Sequence, residues 1–202
     1  MIKGFGSGVV LVELYDAGAG NSPRLANVSA RNHVGTGGDL LIAGFVVDGA
    51  GPKTVLIRAV GPTLAAFGVQ GALADPKLQI FQGERLVAEN DDWSPSLATA
   101  FGRVGAFSLV AGSFDAALTL TLQPGAYTAQ ITGKAAATGI ALMEAYDTSA
   151  ASDTARLVNI SARSQVGTGG DILIAGFVVS GNVNKRVLIR GVGPALTQFG
   201  VG

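Results

Sequence analysis

The stretch VGTGGDLLIAGFVV, residues 34–47, returns as VGTGGDILIAGFVV at residues 166–179, with Leu40 against Ile172 the single difference. A repeat of this kind has to be settled first, because it determines what counts as one structural unit. The match extends in both directions. Arg24 aligns with Arg156 and Phe67 with Phe199, through RLANVSAR/RLVNISAR and VLIRAVGP/VLIRGVGP, at a constant offset of 132. VELYD, ending at Asp16, matches MEAYD, ending at Asp147, at an offset one shorter. A recurring part A therefore occupies residues 1–69 and 139–202, and a single part B, residues 70–138, lies between them. The second part A stops at FGVG, where the first continues into QGALADPKLQIF. The expectation is either a window on a longer tandem array or a unit whose complement comes from another molecule.

Within part A, LLIAGFVV is apolar on both faces, which predicts a central strand covered on both sides. Gly44 and Gly176 would weaken such a strand, so they mark a bulge or a close backbone approach. In part B, residues 117–122 (ALTLTL) place Leu118, Leu120 and Leu122 on one face. Residues 126–132 (AYTAQIT) do the same with Tyr127, Ala129 and Ile131. The intervening QPG reads as the turn of a hairpin. Further strands are expected at 9–15, 25–31, 54–60, 78–81, 86–89 and 140–146. Short helical turns are expected after Gly61, Trp93 and Gly193, where Pro62, Pro95 and Pro194 suit a first helical position. Many short strands separated by Gly, Asn, Asp and Pro turns predict an all-β chain, a β-sandwich or jelly roll with a few short helical turns.

Composition narrows the function classes. Fourteen Lys and Arg balance fourteen Asp and Glu, and charged residues make up 14% of the chain. A typical soluble domain carries about a quarter. Low charge and zero net charge favour association, so a homo-oligomer, a homopolymer or contact with neighbouring repeats is expected. The absence of cysteine excludes disulfides, zinc-thiolate sites and a cysteine nucleophile. KRVLIR holds three cations, too few for a nucleic-acid footprint. No run reaches the roughly 18 apolar residues of a membrane span, and residues 1–8 lack the layout of a signal peptide, which leaves the compartment open.

Residues 78–93 (LQIFQGERLVAENDDW), 114–133 (FDAALTLTLQPGAYTAQITG) and 140–147 (IALMEAYD) together are similar to the bacterial pre-peptidase C-terminal domain, a jelly roll appended to secreted enzymes and surface proteins. Part A otherwise departs from that family, which has no VGTGGD or VLIRAVGP element. The whole unit, with NVSAR, VGTGGD, IAGFVV, VLIRAVGP and GALADP in order, resembles an uncharacterised tandem repeat of large secreted or cell-surface bacterial proteins. That resemblance implies an extracellular location and a structural or binding role, without catalytic residues.

His33 is the one histidine, and its repeat counterpart is Gln165, which argues against a catalytic or metal role. Ser29 and Ser161 recur but have no histidine base to serve both. GTGGD resembles a phosphate loop, yet Asp39 and Asp171 open a strand where a Walker motif requires Lys and a helix. A tight turn with glycines at positive φ and the Asp capping nearby amides is expected instead. Arg31, Arg58, Arg163 and Arg190 recur with Asp39 and Asp171. Arg58 shares a strand face with Leu56, which predicts a buried arginine paired with a carboxylate. No cofactor is expected, with calcium as the alternative: Glu89, Asn90, Asp91 and Asp92 offer oxygen ligands to such a cation, although their spacing is not that of an EF-hand and Asn-Asp clusters are common in plain turns. Trp93 beside them is a candidate glycan contact, or else a plug in the sandwich.

Two functions follow. The first is a structural extracellular repeat that self-associates head to tail into a fibre, surface layer or adhesin stalk, by strand complementation at the incomplete repeat. The second is a carbohydrate-binding accessory module using Trp93, Tyr127 or Tyr146. An enzyme is not expected, since no nucleophile-base pair or metal cluster stands out.

Overall fold

The computed structural model describes residues 6–18, 23–148, 154–168 and 171–200. Among these, twelve strands form in chain order. The first part A supplies β1 (Gly8–Asp16), β2 (Arg24–Val34), β3 (Leu41–Asp48) and β4 (Lys53–Val60). Part B supplies β5 (Pro76–Gln82), β6 (Arg85–Asn90), β7 (Ala116–Leu122) and β8 (Gly125–Gly133), with one short helix, α1 (Ala98–Val104), before β7. The second part A supplies β9 (Gly139–Asp147), β10 (Arg156–Val166), β11 (Ile174–Ser180) and β12 (Val187–Val192). Three-residue to six-residue 3-10 turns lie at Pro62–Phe67, Pro95–Leu97, Lys134–Ala136 and Pro194–Phe199. The chain is all-β, as the alternation and turn pattern predict.

Strand pairing is antiparallel and divides the strands into two sheets. One runs β6-β5-β8-β3-β10-β1-β12 and the other β11-β2-β9-β4-β7. A single pair, Leu157 with Leu25, joins them where β10 meets β2. Inward side chains of both sheets, among them Val12, Leu25, Phe45, Ile57, Ile131, Met143 and Leu157, merge into one core. Fully burying an aliphatic side chain of this size contributes about 1.5–3 kcal/mol, so this shared core holds the sheets face to face.

The two copies of part A interleave. The segment β3-β10-β1-β12 alternates first-copy and second-copy strands, and so does β11-β2-β9-β4. Exchanging β1 with β9, β2 with β10, β3 with β11 and β4 with β12 converts one segment into the other. The registers obey the same exchange: Glu13 lies opposite Arg190 as Glu144 lies opposite Arg58. Part B breaks the symmetry, because β8, β5 and β6 extend the sheet beyond β3, and β7 extends the other beyond β4. The equivalent edges, β11 and β12, carry no added strand among the described residues.

Two local expectations change and a third is narrowed. β7 and β8 are not a hairpin: β7 pairs with β4 and β8 with β3 and β5, so QPG carries the chain from one sheet to the other. Tyr127 ties this crossover down by donating its hydroxyl to the Gln123 carbonyl at 2.8 Å. β3 is central, between β8 and β10, but it is fully buried on one face only, with Ile42, Gly44 and Val46 half-buried on the other. The Gly44 position is a close approach without a bulge: a Cβ there would lie 2.6 Å from Ser161 Oγ, and one on Gly176 would lie 2.7 Å from Ser29 Oγ. The recurring serines thus sit over the recurring glycines of the other copy.

Candidate functional site

The repeat builds one polar cluster twice, on the outward faces of the two sheets. In an antiparallel pair, outward residues of β4 meet outward residues of β9, which places Arg58 opposite Glu144. Arg58 donates to Glu144 Oε2 through Nε at 2.9 Å and Nη2 at 2.6 Å. Two residues further along the same face, the Tyr146 hydroxyl donates to Glu144 Oε1 at 2.7 Å. In the second cluster Arg190 Nε lies 3.4 Å from Glu13 Oε2, and Tyr15 donates to Glu13 Oε1 at 2.6 Å. Burial first, then the charge of Glu144 and the bond to it, holds the Tyr146 hydroxyl well above the ordinary tyrosine range. Tyr15 is also raised, chiefly by its hydrogen bond to Glu13.

Part B closes the first cluster. Ser94 caps the turn Pro95–Leu97 by accepting from the Ser96 amide, and Pro95 occupies its first position. α1 then ends at Gly105, whose φ of 70° suits glycine. Through this segment the Phe101 and Phe107 rings come to 4.9 and 4.3 Å from the Arg58 guanidinium carbon, and Nη1 donates to the Phe107 carbonyl at 2.6 Å. Cation–π attraction of this kind strengthens as water is removed. Asp115, fully buried, fastens the cover to the first part A. It accepts from the Gly61 amide at 2.7 Å, the Ser113 hydroxyl at 2.6 Å, and the Thr63 amide and hydroxyl.

The second cluster is open. The Arg190 side chain is 53% exposed, whereas that of Arg58 is inaccessible. The adjacent residues of β12 follow: Leu188 and Ile189 are 50% and 56% exposed, against 0% for Leu56 and Ile57, and on β11, at the edge of the other sheet, Phe177 is 40% exposed against 1% for Phe45. Beside Arg190 a cleft of about 600 Å³ opens on the sheet, lined by Glu13, Thr128, Val192, Leu196 and Phe199 among others.

Two further twin pairs hold the copies together inside. Lys53 Nζ lies 2.7 Å from Asp147 and donates to the Ala155 carbonyl at 2.8 Å, and Lys185 Nζ lies 2.7 Å from Asp16. These four side chains are almost entirely out of solvent. Such pairs add little net stability over apolar packing but penalise any arrangement that separates them.

The predicted site residues are placed differently from one another. The partner of Arg58 is Glu144 and that of Arg190 is Glu13, not Asp39 or Asp171. Asp39 lines a cleft with Arg163, and Asp171 lines its twin with Arg31 and His33. GTGGD is a tight turn, closed by Gly35 N to Asp39 O at 2.7 Å and by Asp39 N to Thr36 O at 3.2 Å. Gly37 has φ 64°. The Asp39 side chain packs against Gly35 and caps no amide, Oδ1 being without a hydrogen-bond partner among the described residues.

Glu89, Asn90, Asp91 and Asp92 do not converge. Glu89 meets Lys77 at 2.9 Å and Gln79 at 3.1 Å, Asp91 meets Lys134 at 3.1 Å, and Asn90 accepts from the Ala117 amide. These contacts pull the Glu89 and Asp91 carboxyls below their ordinary range. Among the described residues no group of three or more His, Asp or Glu side chains gathers around a common point. Trp93 is half-buried in the apolar cluster that covers the outer face of β4 and β9, 5.6 Å from the Phe101 ring, and donates Nε1 to Ser113 Oγ at 3.2 Å.

Sequence reasoning missed Glu13, Glu144, Tyr15 and the buried Lys–Asp pairs, and named Tyr146 only as a glycan contact, although a signal existed. E-x-Y-D recurs in VELYD and MEAYD, and Lys53 recurs as Lys185. Asp115 occurs in part B alone and carries no such signal. No protein-family model matches the chain, and the comparisons with curated proteins and with solved structures give no match.

Proposed function

We propose that this protein is a structural β-sandwich repeat of an extracellular or cell-surface assembly, joined head to tail with its neighbours into a fibre, surface layer or adhesin stalk. The observation that carries this reading is the contrast between twins. The residues that part B buries in the first half recur in the second half and stand exposed there, Leu188, Ile189, Phe177 and Arg190 above all. An apolar strand edge of that kind is a template for added strands. Low charge and zero net charge remove the repulsion that would oppose contact. The extracellular location is supported by the resemblance of the unit to repeats of secreted and surface proteins.

Light scattering and negative-stain microscopy of the purified chain over a range of concentrations test the reading. A ladder of sizes or filaments is the expected result. A monodisperse monomer at the highest concentration overturns self-association.

A further inference from the structure

The pseudo-symmetry makes a sharper statement, resting on the reading of the chain as a repeat module. The geometry points to the open face around Arg190 as the docking surface for a second part B unit, one that enters from the C-terminal side of the Pro194–Phe199 turn. The 202 residues contain two part A copies and one part B. A second copy of this chain that lent its own part B to the open face would uncover its own first half, so a copy can abut this face edge to edge but cannot bury it as β4 is buried. The occupant that reproduces the buried state of the first half is therefore a part B unit other than the one at residues 70–138.

The first half shows what that occupant must supply. β7 pairs along β4, with Leu118 opposite Ile57 and Ala117 opposite Arg58. Its counterpart would pair along β12 and cover Ile189. Phe101 and Phe107 enclose the Arg58 guanidinium, and their counterparts would enclose that of Arg190, already aligned on Glu13 and Tyr15. β8 pairs along β3, and its counterpart would pair along β11, where Phe177 and Val178 stand exposed.

The entry path also has its counterpart among the described residues. After Pro62–Phe67 the chain bridges from Ala72 to Ile140, and the Leu73 amide donates to the Ile140 carbonyl at 2.8 Å. The repeat counterpart of Ile140 is Val9, which together with Gly200 lines an open cleft of about 480 Å³. One contact would differ. Thr63, whose hydroxyl donates to Asp115, is replaced by Ala195, so the clasp on the second turn would rest on backbone amides alone.

The test compares the 202-residue chain with the same chain carrying a second copy of residues 71–138 fused after Gly202, by amide hydrogen exchange. Residues 55–60 serve as the internal standard for a covered strand. In the fused chain, exchange at 187–192 should slow by at least about tenfold and approach that standard. Replacing the fused counterparts of Phe101 and Phe107 by Ala should reverse the slowing at 187–192 and leave 55–60 unchanged.

Unchanged exchange at 187–192 in the fused chain overturns the proposal. So does concentration-dependent protection of 187–192 in the unfused chain that reaches the level of 55–60, which would make a second copy the occupant that buries this face. If the unfused chain is a monomer and the fused chain protects 187–192, the docking surface stands and self-association of the 202 residues falls.

Discussion

Arg58 and Glu144 lock together through two donors on a single carboxylate oxygen, Nε at 2.9 Å and Nη2 at 2.6 Å, inside an enclosure where the arginine has no exposed surface. Removing one partner of a buried pair strands the other charge, at about 3–5 kcal/mol. Glu144→Ala is expected to destabilise by that amount in denaturant titration. Its twin, Glu13→Ala, breaks a pair whose arginine is half in water and should cost about 1 kcal/mol or less. Equal losses would contradict the asymmetry between the halves.

Gly44→Ala tests the crossing of the two copies. A Cβ would lie 2.6 Å from Ser161 Oγ, so the serine has to move, at about 1–3 kcal/mol. Ser161→Ala removes the obstructing hydroxyl, and the double variant should recover most of the loss. A double-mutant cycle on melting temperatures reads this directly, and additive losses would count against the contact.

Asp115→Ala leaves the amides of Gly61 and Thr63 and two hydroxyls without their acceptor in the interior. The expected cost is at least about 2 kcal/mol. The loss should be local first, with faster exchange in residues 61–64 and 93–115 before the sheets open.

Alkaline pH provides a further check. The Tyr146 hydroxyl is raised above its unfolded value of about 10. A group raised on folding contributes fully below the unfolded pKa, and its contribution is lost as pH rises from there towards the folded pKa. Unfolding free energy should therefore fall above about pH 10. Tyr146→Phe, which has no proton to lose, should show a shallower fall over the same range.

Much of the fold was legible because strand alternation is a local signal. Tyr127, Ala129 and Ile131 point inward as their spacing predicts, and the Pro62 and Pro194 turns form where expected. The partner of each strand was not legible. QPG has the composition of a hairpin turn, but β4 and β3 offered open edges in different sheets, and β7 and β8 each took one. The buried state of Arg58 could be anticipated from its place beside Leu56, whereas the identity of its carboxylate could not. Glu144 lies 86 residues away and is selected by the register of β4 on β9. The acidic run from Glu89 to Asp92 looked like a cation site because sequence displays the carboxylates and hides Lys77 and Lys134, which come from other parts of the chain.

The alternation of first-copy and second-copy strands also governs how the chain must acquire its shape. Among the described residues β1 finds its neighbours only in β10 and β12, and β2 only in β9, β10 and β11. Synthesis of the first 69 residues therefore yields strands with no sheet to join, and the ribosome must deliver nearly the whole chain before the inner pairings can close. Sheets built from such distant partners fold slowly, since the entropy of closing long loops is lost before contacts repay it. During that interval the apolar LLIAGFVV segments stay unpaired and open to wrong partners, a hazard that two nearly identical copies in one polypeptide double.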